Sequence, residues 1–578
     1  MTQTATASLA PRAAGRIDWH VEPAWRAALL EEGGLPLARW IREGLASIVK
    51  DGPHRTVYRV DLPAHSVYVK HYRCRRWLRI ARHLFRSSSS RREWHSTREV
   101  ARRNVPTVEP VAWGEERRAG LAADSFFVTA ALPDAVPLDH YLDVELPRLP
   151  PPRRAAARRQ LVAALARFTA AAHTAGVDHD DFHTGNLLVQ IGADTEAAAP
   201  REFTVGEAPR LFLIDLPGVR LTGPLNWRRT RGSLAMLNAT LLRRSTPRER
   251  WRFWREYLRQ RTDLRLDDPR AAALDVAQRS RRHLLRVLRG RDDRALRENR
   301  DFQRLSNAAG AACGTRDIAA ADLRAMLGDP AALLRRARHD AVKISHRSLI
   351  VAVQLPSMQG PLPAALKRWR ETSLWKRLLA RFRRSRALTA WRLGHALCNR
   401  GIATARPLAV IEPAGGGESY LATAWIAGAE NLHQFCWRIA ALPARERTRR
   451  ARPAAAALGR LIGRLHAWQI GHRDLKGCNL VLAENDDGVA AWLVDLEGVR
   501  IRRRLRPREQ ARDLARLATS LELHPWITRG DRRRFLRAYL AEFPELRERS
   551  LAARRLWRAV APRSHKLTAR LLQRGGVA

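Results

Sequence analysis

Two segments 293 residues apart (472 − 179), HDDFHTGNLLV at His179–Val189 and HRDLKGCNLVL at His472–Leu482, share the frame HxDxxxxN followed by three apolar residues. Each is followed by an apolar run ending in aspartate, LFLIDLPGVRL at Leu211–Leu221 and WLVDLEGVRI at Trp492–Ile501. Upstream, Lys70–Thr107 matches Lys367–Thr404 without a gap at a constant offset of 297 (367 − 70), and Trp94 falls on Trp391. A frame repeated in this order excludes a single small domain and requires two copies of one fold. The 578 residues suffice for two domains with a core each. The expected division is an N-terminal extension over 1–39, a first copy over 40–305 and a second over 306–578, with SNAAGAACGT at Ser306–Thr315 as linker, because small residues and glycine punctuate structure.

Within each copy the early part alternates apolar and polar residues, as in TVYRVDL and SVYVKHY of the first and SLIVAVQL of the second. Period-two alternation predicts antiparallel strands. Before each HxD frame the period lengthens to that of a helix, over Gln160–Thr174 and Ala454–Trp468. Strands, one helix, strands, then helices is the order of an α+β fold.

The formal charge of +48 (105 − 57) directs attention to polyanions: nucleic acid, an acidic membrane surface or a phosphorylated substrate. Only seven of the 105 basic residues are lysines, Lys50, Lys70, Lys343, Lys367, Lys376, Lys476 and Lys566, leaving 98 arginines (105 − 7). A lysine is a compact point charge and an arginine a planar fork, so the sparing use of lysine marks positions where an ammonium matters. Cys74, Cys313, Cys398, Cys436 and Cys478 are odd in number and contain no CxxC pair, which argues against a disulfide framework or zinc site and for a reducing compartment. With no signal-peptide pattern at Met1–Gly15 and no run of 18 apolar residues, the expected location is cytoplasmic. Nucleic acid is the less favoured polyanion: no zinc-finger, RNP or homeodomain-like pattern occurs, and the arginines are spread along the chain.

The paired frames resemble the protein-kinase-like superfamily, and within it the lipopolysaccharide kinases of the Kdo/WaaP/InaA type, over most of both copies. The resemblance implies two tandem bilobal domains, each with an antiparallel-sheet N-lobe carrying one helix and a mainly helical C-lobe. It implies that Asp181 and Asp474 orient the attacking hydroxyl, that Asn186 and Asn479 hold a metal ion, and that Asp215 and Asp495 bind Mg²⁺ and bridge the phosphates of ATP. Lys70 and Lys367 take the place of the strand lysine that grips the α- and β-phosphates. Glu93, 23 residues after Lys70 (93 − 70), takes that of the helix glutamate paired with it. At the matching place in the second copy stands Ala390, so Lys367 must be held otherwise or less well. Lys476, where the first copy has His183, is positioned to neutralise the γ-phosphate.

Neither copy has a GxGxxG loop, and DFG is replaced by DLP and DLE. No APE segment follows, which fits small atypical kinases better than the eukaryotic protein kinases. His179 and His472 are expected to brace their loops, and His173 and His466 to serve as packing or hydrogen-bonding groups. The basic amphipathic stretches Cys74–Arg86 and Leu374–Arg386 suit either packing on the N-lobe or an anionic membrane surface. The run Arg502–Arg508 reads as a solvated basic face. The expected function is ATP- and Mg²⁺-dependent phosphorylation of a sugar hydroxyl of the lipopolysaccharide core or a lipid-linked sugar, at the cytoplasmic face of the inner membrane. The rivals are a protein Ser/Thr kinase, favoured by HRDLKGCN, and a pseudokinase scaffold, favoured by the missing glycines and Ala390.

Overall fold

The computed structural model describes residues 17–32, 34–52, 54–73, 88–118, 121–190, 209–336, 341–345, 348–370, 384–415, 417–485, 488–543 and 549–573. The stretch Cys74–Arg86, and Leu374–Arg386 as far as residue 383, lie outside them. Contacts divide the chain into two compact units, Met1–Leu285 and Arg286–Ala578.

In the first unit, β1 (Ile17–Val21), β2 (Ala46–Asp51), β3 (Arg55–Asp61), β4 (Ser66–Tyr72), β5 (Pro110–Arg118) and β6 (Leu121–Ala130) form an antiparallel sheet in the order β1-β5-β6-β4-β3-β2. The alternation of SVYVKHY sends Val67 and Val69 into the core with Val60, Val111 and Val128. Lys70 and Tyr72 therefore point to the opposite face. Between β4 and β5 runs helix α1 (Ser89–Arg102), started by Ser88, whose hydroxyl accepts the Arg91 N–H at 3.2 Å. Its buried face carries Glu93, Trp94, Thr97 and Val100. The C-lobe is built on α2 (Pro151–Thr174), whose Leu161, Leu165 and Phe168 pack with Phe182, Leu187 and Leu213. Here β7 (Leu187–Gln190) and β8 (Arg210–Leu213) pair antiparallel, setting the HxD loop before one strand and Asp215 just after the other.

The second unit repeats this plan. A sheet of β9 (Phe302–Asn307), β10 (Gly310–Thr315), β11 (Ala341–Ser345), β12 (Ser348–Leu355), β13 (Leu362–Arg370), β14 (Pro407–Pro413) and β15 (Glu418–Ala424) has the order β9-β10-β14-β15-β13-β12-β11. Helix α3 (Arg386–Asn399) corresponds to α1 at the same offset of 297 (386 − 89). The long helix α4 (Ala444–Ala467) corresponds to α2, and β16 (Leu480–Asn485) pairs with β17 (Gly488–Leu493). In each unit one threonine ties the lobes. Thr107 donates its hydroxyl to the Leu213 carbonyl at 2.6 Å, and Thr404 to that of Leu493 at 2.7 Å. The bilobal α+β reading holds for both copies.

Two expectations about boundaries are corrected. Residues from Ile17 onward are no extension, because β1 pairs along its length with β5. The stretch Ser306–Thr315 is no linker: it lies in the β9–β10 hairpin at the edge of the second sheet, and the compact units divide earlier, between Leu285 and Arg286. Its small residues serve close approach, not freedom. Gly310 has φ +136°, and a Cβ there would sit 2.2 Å from the Glu412 carbonyl oxygen.

His173 and His466 are buried and bonded. His173 meets Tyr257 Oη and Ser233 Oγ, each at 2.8 Å, and His466 meets Tyr539 Oη at 2.8 Å. Burial pushes the His173 imidazole down to about 3. Its unfolded value is about 6.5, so between the two the unfolded chain binds the extra proton. Stability is therefore full above about pH 6.5 and declines as pH falls toward 3. Urea melts of His173→Gln should depend less on pH between about pH 7 and 5 than those of the parent. An unchanged slope would assign the acid sensitivity to other groups.

Candidate active site

In the first unit, β4 carries Lys70 to the face opposite its valines, where the ammonium pairs with Glu93 of α1 and lies 3.5 Å from Asp215 Oδ1. Tyr72, two residues along the same face, donates its hydroxyl to the other Glu93 oxygen. Glu93 is almost fully buried, and these two donors compensate a carboxylate that burial alone would penalise.

Asp215 follows β8 with φ +65°, and Asp495 follows β17 with φ +59°. A left-handed backbone at a non-glycine residue is uncommon and is held by its surroundings, and both units hold it at the same position. The Asp215 carboxylate is gripped by both terminal nitrogens of Arg55, at 2.5 and 3.2 Å. Burial opposes its charge, but Lys70, Arg55 and Lys50 outweigh burial and hold it well below the usual carboxylate range.

The catalytic-loop frame has one geometry in both units. The Asp181 N–H donates to His179 Nδ1 at 3.0 Å, so His179 Nε2 carries the hydrogen facing the Ile214 carbonyl at 3.3 Å. The Asp474 N–H likewise donates to His472 Nδ1 at 3.3 Å, and His472 Nε2 faces the Asp495 carbonyl at 3.1 Å. Burial lowers both imidazoles, which keeps the neutral tautomer this bracing needs. Asn186 Nδ2 donates to the Asp181 carbonyl at 2.9 Å and Asn479 Nδ2 to the Asp474 carbonyl at 2.8 Å. The Asp181 carboxylate is 71% exposed and faces His183 Nε2 at 3.2 Å. The His183 hydrogen bond, working against burial, lowers its pKa. Asp474, 53% exposed, faces the Lys476 ammonium at 3.1 Å. Both carboxylates are open to an incoming hydroxyl, as a general base requires.

With Nδ2 committed to the backbone, each asparagine has Oδ1 left as a hard oxygen, met in Asn479 by the Cys478 thiol at 3.6 Å, and the Asn186 and Asn479 carbonyls accept the N–H of Ile214 and Val494, each one residue before the strand-end aspartate, at 3.0 and 2.9 Å. One carboxylate and one amide oxygen suit a cation that completes its shell with phosphate and water. Among the described residues no group of three or more His, Cys, Asp or Glu side chains converges as a metal cage.

The second unit holds its lysine differently. Lys367 Nζ lies 2.9 Å from Asp495 Oδ1 and 3.0 Å from Glu497 Oε1, and Trp369 Nε1 donates to that Glu497 oxygen at 2.5 Å. Ala390 is buried in the core, and a Cβ on Gly394, one turn on, would sit 2.4 Å from Pro407 and 3.3 Å from Leu496. Helix α3 thus lies close against the DLE turn, and the carboxylate missing from the helix rises from the turn. Tyr72 and Trp369 occupy the same register (72 + 297 = 369), each donating to the carboxylate that meets its lysine. The constellation of Lys70, Glu93, Asp181, Asn186 and Asp215 assembles in the first unit, and that of Lys367, Asp474, Lys476, Asn479 and Asp495 in the second. Arg55 and Glu497 escaped the sequence reading. The one available signal was the change from DLP to DLE, Pro217 against Glu497.

Two bilobal units of this geometry define tandem protein-kinase-like domains. The family model of the lipopolysaccharide kinase (Kdo/WaaP) family matches residues 42–257 and 358–539, and the chain belongs to that family. It is a kinase, and family membership implies use of ATP. The lipopolysaccharide core heptose(I) kinase WaaP of Pseudomonas aeruginosa is 30% identical over 212 residues, 36% of this chain and 74% of the relative. The protein of the same name from Escherichia coli is 27% identical over 169 residues, 29% of this chain and 58% of the relative. Similar solved structures include WaaP in complex with acyl carrier protein (24% identity, TM-score 0.33, 46% of this chain and 98% of that one). A second is the BubR1 kinase domain (15% identity, TM-score 0.19, 28% and 46%). Among the described residues no helix is long and apolar enough to cross a membrane.

Proposed function

We propose that this chain transfers the γ-phosphoryl group of ATP to a sugar hydroxyl of the lipopolysaccharide core, a heptose being the acceptor the relatives' names suggest. The observation that carries the reading is the recurrence, in two units of one lipopolysaccharide-kinase chain, of a lysine within 3.5 Å of a strand-end aspartate beside an exposed, braced HxD carboxylate. Phosphoryl transfer asks little covalent chemistry of the protein and much positioning and charge stabilisation. Lys70 and Lys367 would fix the α- and β-phosphates. Asp181 and Asp474 would orient the sugar hydroxyl and take its proton, and Lys476 would meet charge on the γ-phosphate. Mg²⁺, held by Asp215 and Asn186 or by Asp495 and Asn479, would neutralise the phosphate oxygens.

The acceptor is anchored in lipid, so the reaction belongs at the cytoplasmic face of the inner membrane. The net charge of +48 and the basic stretches Cys74–Arg86 and Leu374–Arg386 favour contact with anionic lipid there. Incubation with terminally labelled ATP, Mg²⁺, a lipopolysaccharide fraction and total protein tests the proposal. Label is expected in lipopolysaccharide, to be lost on chelation of Mg²⁺ and in the Asp181→Asn/Asp474→Asn variant. Label confined to protein would replace the reading with that of a protein kinase, and nucleotide binding without transfer with that of a pseudokinase.

A further inference from the structure

Lys50 and Lys343 are two of the seven lysines and have no part in the constellations above. The offset of 297 sets Arg347, not Lys343, against Lys50 (50 + 297), so linear comparison of the copies does not relate them. Sheet register does. In the first unit Lys50 pairs with Val57, and Val57 with Lys70. In the second Lys343 pairs with Ile350, and Ile350 with Lys367. Directly paired residues share a face of a sheet. By register, each position therefore shares a sheet face with that of the nucleotide-site lysine, two strands or about 9–10 Å away. The strand is bulged at the same place in both units, between Ile48 and Lys50 and between Ala341 and Lys343. Bulges beside active sites re-aim a side chain.

A solvated surface lysine is the ordinary reading of such a residue, but it does not account for the coincidence. Lysine occupies 7 of 578 positions, so its appearance at one register position of both sheets, behind the same bulge, is improbable without a role. The hairpin it starts is the one that carries GxGxxG in kinases with a glycine loop, where backbone N–H groups cradle phosphate. Neither copy has those glycines. In the first unit the neighbouring acid is already engaged, since Asp51 accepts from Thr56 Oγ1 and Arg73 Nη2, each at 2.6 Å. Lys50 is exposed and, among the described residues, makes no ion pair.

We infer that Lys50 is a nucleotide-binding residue, an ammonium over the triphosphate that replaces the backbone cover of a glycine loop, and that Lys343, at the same register position, is its counterpart in the second unit. The inference rests on the proposal that the clefts of Lys70 and Lys367 take ATP. Titration calorimetry of the full chain with ATP and with adenosine, both with Mg²⁺, separates the two claims. The Lys50→Ala/Lys343→Ala variant should bind ATP about tenfold more weakly, the order of one charge-assisted contact partly open to water, and adenosine as the parent does. Lys50→Arg/Lys343→Arg should recover most of the loss. Unchanged ATP affinity in the alanine variant would overturn the inference and leave the nucleotide site standing, and an equal loss for ATP and adenosine would assign the lysines to hairpin structure instead. A parent chain that binds neither ligand would overturn both claims.

Discussion

Asp181→Asn and Asp474→Asn should each lower phosphoryl transfer by their own unit about 10²- to 10⁴-fold, the usual contribution of a positioned general base, while leaving nucleotide binding intact. An asparagine keeps the shape of the side chain but cannot accept the hydroxyl proton. Each unit contains its own lysine, carboxylates and asparagine, so each single variant is expected to retain the other unit's turnover and the double variant to retain none. The larger loss should come from Asp474→Asn. In the first unit Arg55 covers both oxygens of Asp215 and, on the proposed function, would have to release them before they served a metal. Initial rates with labelled ATP and a lipopolysaccharide fraction measure the shares. Two dead single variants would show that the units depend on one another, and an Asp181→Asn variant with full activity would make the first unit a non-catalytic partner.

What could be read from the sequence was whatever repeats within one stretch of chain. Lys70 and Glu93, Asp181 and Asn186, and Asp215 two residues past the end of β8 all follow from local spacing, and the structure brings them together. So does the alternation that buries Val67 and Val69 and turns Lys70 outward. What was not legible depends on partners remote in sequence. Arg55 meets a carboxylate 160 residues away, and Glu497 meets Lys367 across 130. The hairpin at Phe302–Thr315 was missed for a different reason. Glycine and alanine signal flexibility only when nothing packs on them, and the backbone at Glu412 packs on Gly310.

Glu497→Gln, made in the Asp181→Asn background so that only the second unit turns over, should lower activity about 10- to 100-fold, the order lost when a positioning contact moves by about an ångström. The change removes the charge that Lys367 meets at 3.0 Å and keeps an amide oxygen for Trp369 Nε1. The ammonium is then expected to swing toward Asp495, its other partner at 2.9 Å, and would draw that carboxylate from the metal the proposed function gives it. A merely structural glutamate would show its loss in the melting temperature. A positioning glutamate shows it as weaker binding of ATP with little change in that of adenosine. Ala390→Glu returns a carboxylate to the helix at the register of Glu93, the residue that serves Lys70, and should recover part of the loss in the Glu497→Gln chain. Full activity in the single variant would sink the assignment. Recovery by Ala390→Glu would establish that the two copies solve one problem from opposite sides: a lysine that must stay in place is held by a carboxylate from the helix in one unit and from the turn after the strand-end aspartate in the other, with Tyr72 or Trp369 holding that carboxylate in turn.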